Sequence, residues 1–287
     1  MSTQPMRGVF PILVTPFDAQ DRVDEESLRR LVDYDIEAGV HGLGIAFGSE
    51  IPKLTEAERL LVTRVAVEQA RGRLPIVVNS GAGSTVAAAL YSRQAEDAGA
   101  SAVMSLPPGG VPADQTIAYF RAISDAVHVP VWVQEASAAI GGAMIRQVAE
   151  ACQRVRYAKV ESAPPAQKVQ EAVEHGAGLV AVFGGAGGTY FIEELRRGSQ
   201  GTMPWPDRPH SFVRVWDHWQ AGRHEEARLA WEQELAPILR IPGLVHKEIL
   251  YRQGIIATPN WRAPRPAPMD QTTRREFDEV CERLGIG

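Results

Sequence analysis

Of the 30 basic residues in this chain only four are lysines, Lys53, Lys159, Lys168 and Lys247, so each can be weighed individually as an amine nucleophile. Lys159 is the one whose surroundings promise chemistry. It lies inside the strand-like run Val155-Arg156-Tyr157-Ala158-Lys159-Val160, where alternation puts Tyr157, Lys159 and Glu161 on one face and Ala158 and Val160 on the other. A lysine turned into a protein interior loses hydration, which disfavours the ammonium and offers a free amine to carbonyl substrates. The competing reading of the same position is a structural lysine, ion-paired with Glu161 or Glu135 or pointing outward under a helix. The other lysines read as bland: Lys53 precedes a helix cap, Lys168 opens a helix, and Lys247 sits on a C-terminal helix facing solvent or another helix.

An inward amine needs a frame to hold it. Short apolar runs at 8–14, 42–47, 75–79, 102–106, 129–133, 156–160, 179–183 and 200–203 alternate with segments of helical period, the pattern of βα units around a parallel sheet. Eight such units predict an α/β protein, a closed (β/α)8 TIM barrel over residues 1–221, ahead of a doubly wound open sheet. Residues 222–287 read as a helical extension packed on the barrel, with helices at 225–239, 244–253 and 272–284. Thr55 followed by Glu58 has capping-box spacing, and Asp24 precedes an acidic first turn. Glycines at 39, 99 and 176 stand where helices would stop.

In such a barrel the reacting groups sit at the C-terminal ends of strands and in the loops after them. That selects Thr15, Ser49, Glu50, Asn79, Ser80, Ser105, Gln134, Glu135, Lys159, Glu161, Gly184 and Gly185. The run Gly184 to Gly188 lacks the Lys-Ser/Thr of a phosphate loop and reads as a pocket wall.

Composition narrows the partners. The formal charge is −5, without a basic run, and 45% of residues are hydrophobic, which argues against nucleic acid or an anionic membrane and for a small-molecule ligand. The two cysteines, Cys152 and Cys281, both in segments read as helical, have no disulfide-like or CxxC spacing, as expected in a reducing cytoplasm. The longest uncharged stretch, 74–92, contains Pro75, Asn79 and three further turn formers, Gly81, Gly83 and Ser84, a poor lipid-spanning helix. The N-terminal residues lack the order of an export signal.

Four motifs point further. Val14-Thr15-Pro16-Phe17, Leu54-Thr55-Glu56-Ala57-Glu58-Arg59, Tyr157-Ala158-Lys159-Val160-Glu161 and Gly198-Ser199-Gln200-Gly201-Thr202-Met203-Pro204 resemble the dihydrodipicolinate synthase / N-acetylneuraminate lyase family of class I aldolases. The resemblance covers nearly the whole chain. It implies a homo-oligomer, usually a tetramer, whose strand-six lysine condenses with the keto group of a 2-keto acid, a position that Lys159 matches. A covalent imine of that kind needs no cofactor and no metal.

The departures from the family pattern are equally informative. Ala46-Phe47-Gly48-Ser49-Glu50 replaces Gly-Thr-Thr-Gly-Glu, Pro107-Pro108-Gly109 replaces Pro-Tyr-Tyr, and Gln134-Glu135 replaces Tyr-Asn. An arginine expected shortly after is replaced within Ser137-Ala138-Ala139-Ile140. The hydroxyl relay of dihydrodipicolinate synthase cannot be assembled from these residues. Val133-Gln134-Glu135-Ala136, Lys159-Val160-Glu161-Ser162 and Gly254-Ile255-Ile256-Ala257 are instead similar to the 2-keto-3-deoxy-L-arabonate dehydratases, although that branch's Pro-Tyr-His after strand four is not reproduced.

On this resemblance an iminium at C2 would acidify C3 and let the enamine expel a hydroxyl from C4. Glu161 is the first candidate for the proton transfers and Glu135 its rival. Gln134 would bind a substrate hydroxyl, Ser49 with the backbone at Gly48 would hold the carboxylate, and Asn79, Gly184 and Gly185 would complete the pocket. Aldol cleavage with pyruvate release shares the same iminium, and a non-catalytic keto-acid binder is the third reading. A nicotinamide enzyme is disfavoured because Gly81-Ala82-Gly83 lacks the acidic residue after the next strand, and a metal-dependent lyase because no HExxH or clustered spacing occurs.

Overall fold

The apolar runs form eight strands, β1 (Gly8–Val9), β2 (Leu43–Ile45), β3 (Ile76–Asn79), β4 (Ala102–Ser105), β5 (Val131–Glu135), β6 (Val155–Val160), β7 (Ala181–Gly184) and β8 (Gly201–Thr202), in a computed structural model that describes residues 5–136 and 140–287. Ser137, Ala138 and Ala139, where the family's arginine is replaced, lie outside the described residues. All pairings are parallel, in the order β1-β8-β7-β6-β5-β4-β3-β2. Pro11 has no N–H and cuts β1 short, yet its carbonyl accepts from Gly44 N–H at 2.8 Å and Leu13 N–H donates to Gly44 at 2.9 Å. Those bonds join the first strand to the second, so the sheet closes into a (β/α)8 barrel.

Helices follow the strands: α1 (Glu25–Glu37), α2 (Glu56–Ala70), α3 (Thr85–Asp97), α4 (Ala113–Ala126), α5 (Gly142–Ala151), α6 (Pro165–Gly176), α7 (Phe191–Leu195) and α8 (Pro209–Gln220). The Thr55–Glu58 capping box is present at α2, and Asp24 caps α1 through Ser27 N–H. Gly39 and Gly99 take left-handed backbone after α1 and α3. At α6 the stop falls later than expected: Gly176 stays helical and Gly178 carries the positive φ. Cys152 lies just beyond α5 in extended backbone, not within the helix. β5 begins after Pro130, which cannot donate to the ladder, and runs two residues past the expected end, through Gln134 and Glu135.

Beyond the barrel, α9 (His224–Ala230) continues through a π turn, Trp231–Leu235, into α10 (Ala236–Leu239). Pro237, early in α10, has no N–H for the ladder, and the wider turn before it absorbs that break. Helices α11 (His246–Arg252) and α12 (Gln271–Leu284) follow. No helix among the described residues is long and apolar enough to cross a membrane.

Two apolar layers position the site. Val131, Val133, Ala158 and Val160 face the helices, while Phe10, Trp132, Tyr157, Phe183 and Met203 fill the barrel interior. Trp132 stacks on Tyr157 at 4.6 Å and 15°, and Phe183 meets Trp132 edge-on at 4.7 Å. Aromatic pairs of this geometry contribute beyond the area they bury. They form a solid floor beneath the polar groups at the strand ends.

Candidate active site

Alternation along β6 carries Tyr157 into that floor and Lys159, one step higher, into the open upper barrel. Lys159 is 5% exposed, and its Nζ lies 2.8 Å from Glu161 Oε2. Gln134, in register with Lys159 on β5, donates through Nε2 to Glu161 Oε1 at 2.7 Å. Asn79 Nδ2 donates to Gln134 Oε1 at 2.9 Å, and Gly81 N–H donates to Asn79 Oδ1 at 3.1 Å. A backbone N–H can only donate, so this last bond fixes the direction of the whole chain of amides and aims it at the Glu161 carboxylate.

Burial works to raise the Glu161 carboxyl, but the Lys159 ammonium beside it, the Gln134 amide and the Ala186 N–H outweigh burial and hold it below the ordinary range. The site is therefore an ion pair whose anion is stabilised from three sides. Gly185 makes room for it: a Cβ there would lie 2.6 Å from Glu161 Oε2 and 2.9 Å from Lys159 Cε. Lys159 and Glu161 form the base of a cavity of about 550 Å³ that Gly48, Ala186 and Gly187 also line.

Two expected participants stand elsewhere. Glu135 follows Gln134 on the same strand and so faces the helical shell, where Ser162 N–H donates to its Oε2 at 3.1 Å and the Ser162 hydroxyl binds Oε1. It holds the loop after β6 and does not share the face of Lys159. Ser49 is fully buried; its hydroxyl donates to the Leu13 carbonyl at 2.5 Å and accepts from Ala46 N–H at 3.0 Å. It pins the turn Phe47–Ser49 rather than lining the cavity, while Thr15 donates to the Ser49 carbonyl at 2.6 Å.

Two residues beside the site carried no local signal. Lys247, expected to be bland, is fully buried and donates to Glu50 Oε1 at 2.7 Å. Burial lowers its pKa to about 8 against the pull of Glu50. The Lys247 ammonium lies 4.5 Å from the ring centroids of both Phe17 and Trp261. This cation ties α11 to the turn after β2. Lys247→Met is expected to cost up to about 3 kcal/mol, because a buried carboxylate loses the nearer and more deeply buried of its two ammonium partners, Lys247 and Lys53; a urea melt that leaves the midpoint unchanged would contradict the ion pair's role.

Glu194 is the other surprise. It is fully buried in α7, neither carboxyl oxygen has a hydrogen-bond partner, and a Cβ on Gly184 would lie 1.6 Å from its Oε2. Gly184 is thus small because a carboxyl occupies the space its side chain would need, on the shell side of β7. Burial, reinforced by the negative charges of Glu193 and Glu161, pushes the Glu194 pKa up to about 8. A carboxyl with a raised folded-state pKa binds its proton more tightly in the folded chain, so stability falls as pH rises from the ordinary value of about 4.5 to about 8. Glu194→Gln is expected to be more stable than wild type in urea melts above about pH 8 and to lose that advantage below about pH 4; a pH-independent difference would remove the account.

Among the described residues no cluster of His, Cys, Asp and Glu side chains is arranged to hold a metal ion. A lysine and a carboxylate stand together beneath an open cavity at the C-terminal ends of a parallel barrel's strands, the end where such barrels carry their chemistry. The model of the dihydrodipicolinate synthetase family matches residues 5–282, and the chain belongs to that family, whose members are class I lyases acting through a lysine Schiff base. It is 31% identical to L-2-keto-3-deoxyarabonate dehydratase of Azospirillum brasilense, over 99% of this chain and 96% of that protein. It is 28% identical to 4-hydroxy-tetrahydrodipicolinate synthase of Chlorobium luteolum, over 100% of both. Among solved structures, dihydrodipicolinate synthase from Rhodopseudomonas palustris superposes with a TM-score of 0.88 at 27% identity, covering 97% of each chain.

Proposed function

We propose that this lyase forms an imine between Lys159 and the keto group of a 4-hydroxy-2-keto acid and eliminates the 4-hydroxyl as water. The observation that carries the reading is the Lys159–Glu161 pair, 2.8 Å apart at the base of an open cavity. Glu161 accepts a proton from the ammonium, the freed amine attacks C2, and Glu161 delivers that proton and then a second one, taken from the attacking nitrogen, to the former keto oxygen, which leaves as water. The carboxylate, restored, removes a proton from C3. The enamine then expels the C4 oxygen, which takes that proton from Glu161 and departs as a second water, and addition of one water to C2 of the conjugated iminium breaks the C–N bond and frees the keto acid and Lys159. One carboxyl shuttles every proton, so no tyrosine relay is required.

Gln134, oriented by Asn79, holds Glu161 and offers its second amide hydrogen to a substrate oxygen. The carboxylate falls to the backbone N–H groups of Phe47 and Gly48, since the Ser49 N–H already donates to the Ala46 carbonyl and the Ser49 hydroxyl holds the turn rigid. Gly185 leaves the space beside the amine, whereas Gly184, expected to line the pocket, faces the helical shell and the Glu194 carboxyl. The relationship to L-2-keto-3-deoxyarabonate dehydratase supports dehydration, with a 2-keto-3-deoxy sugar acid as the first substrate to try. Aldol cleavage would use the same imine, and the products separate the two: pyruvate for cleavage, an unfragmented dehydrated acid for elimination. Borohydride reduction in the presence of pyruvate, followed by peptide mass analysis, should place the adduct on Lys159; an unlabelled Lys159 peptide would end the proposal. The same reading includes a homo-oligomer, a tetramer in the form the family resemblance implies, which sedimentation measures directly.

A further inference from the structure

The outer half of the cavity is built differently from its base. Its wall is Trp205, Trp261, Leu244, Phe47 and Pro52, and Phe47 and Leu244 are 40% and 41% exposed despite their size. The two charged side chains there are already committed. Glu50 accepts from Lys247 at 2.7 Å through Oε1, and from Lys53 at 3.1 Å and Arg262 N–H at 3.2 Å through Oε2. The Lys53 ammonium also donates to the carbonyls of Arg262 at 3.0 Å and Pro264 at 2.9 Å, so all its donors are engaged. Among the described residues, this wall keeps two indole N–H groups and no unengaged side-chain acceptor.

The indoles are held before any ligand arrives. Trp205 stacks on buried His246 at 4.2 Å and 16°, and His246 Nδ1 lies 2.9 Å from Asp207 Oδ1. Trp261 meets Trp205 edge-on at 6.4 Å and carries the Lys247 ammonium over its ring. Rigid aromatic surfaces lose little freedom on binding and reward apolar contact. A sugar hydroxyl turned toward this wall would displace water from it and find, among the described residues, no unengaged side-chain acceptor.

Resting on the imine chemistry proposed for Lys159, we infer that the substrate carries an apolar group, aryl or branched alkyl, on the carbon beyond C3, seated in the corner between Trp205 and Trp261. The polar base holds the keto-acid end and the aromatic corner holds the tail. Elimination then removes the C3 proton and the C4 hydroxyl as water and leaves a conjugated 3,4-unsaturated 2-keto acid; cleavage would give pyruvate and the apolar aldehyde.

The experiment compares 4-hydroxy-2-oxo-4-phenylbutanoate with 2-keto-3-deoxypentonate on the full-length protein, after pyruvate and borohydride have shown whether Lys159 forms an adduct. The aryl acid is expected to have the higher kcat/KM by about 10-fold or more, the discrimination typical of an apolar pocket. Trp261→Ala should shrink that ratio, with the loss in the KM of the aryl acid. Because Trp261 also covers Lys247, Leu244→Ser, at the exposed rim, provides a second variant with the same expected direction. Equal or better turnover of the hydroxylated acid, or equal losses on both acids in both variants, would overturn the inference while leaving the Schiff base intact. A missing pyruvate adduct would instead remove the imine reading itself. If neither acid turns over, 2-oxo-4-phenylbutanoate should still block pyruvate trapping about 10-fold more strongly than 2-oxoglutarate, and the reverse order counts against an apolar tail.

Discussion

Lys159→Arg abolishes the borohydride-trapped adduct and lowers kcat by about 10⁴-fold or more, on the scale seen when a covalent nucleophile is removed. Arginine keeps a positive charge next to Glu161, so the variant separates two roles that coincide in one side chain. A structural cation would be served nearly as well by a guanidinium. A nucleophile would not, because the guanidinium stays protonated and cannot attack C2. Retained turnover in Lys159→Arg would leave Lys159 as an ion-pair partner only. The melting temperature should fall modestly, since the side chain is buried with its partner at 2.8 Å and the broader guanidinium must fit against Gly185, where a mere Cβ would already crowd Lys159 Cε at 2.9 Å.

The second large effect belongs to Glu161. Glu161→Gln keeps the shape and the hydrogen-bonding length but removes the proton carrier, and kcat should drop by about 10²- to 10⁴-fold, the range for a lost general acid–base group. The pH profile gives the sharper readout. Glu161 must be ionised to accept protons, and Lys159, Gln134 and Ala186 hold it below the ordinary range despite burial. The acid limb of kcat/KM for the wild type should therefore fall below the usual carboxylate titration and vanish in Glu161→Gln. An unchanged acid limb in the variant would transfer the proton work to another group. Stability follows the same linkage: a carboxyl with a lowered folded-state pKa stabilises fully above the ordinary value of about 4.5 and loses that contribution as pH falls through its lower folded value. The stability gap between wild type and Glu161→Gln should accordingly narrow toward acid.

Spacing on one strand face put Glu161 first but left the orientation of its rival, Glu135, open. Neighbouring residues on a strand point to opposite faces, so Gln134 and Glu135 could not both face Lys159. Which of them does depends on the register of β5 against β6, where Gln134 pairs with Lys159. The expected strand ended at residue 133, before either of them, and left that choice open. Ser49 illustrates a different limit. A serine after a strand offers the same hydroxyl whether it meets a ligand or caps a turn, and only the positions of Leu13 and Ala46 reveal that the turn has claimed it.

The sequence by itself determined the periodicities: eight apolar runs separated by helical segments, the capping box at Thr55 and Glu58, and the placement of Lys159 with Glu161 on one strand face. These are local properties, set by backbone geometry over a few residues, and they survive folding unchanged. Tertiary structure alone decided what lies opposite the amine and above it. Lys247 meets Glu50 across 197 residues, Trp205 and Trp261 close the outer cavity from separate segments, and the Glu194 carboxyl fills the space left by Gly184. No short-range pattern encodes such meetings, because burial and Coulomb attraction depend on distance in space, which chain closure fixes only once the barrel is complete.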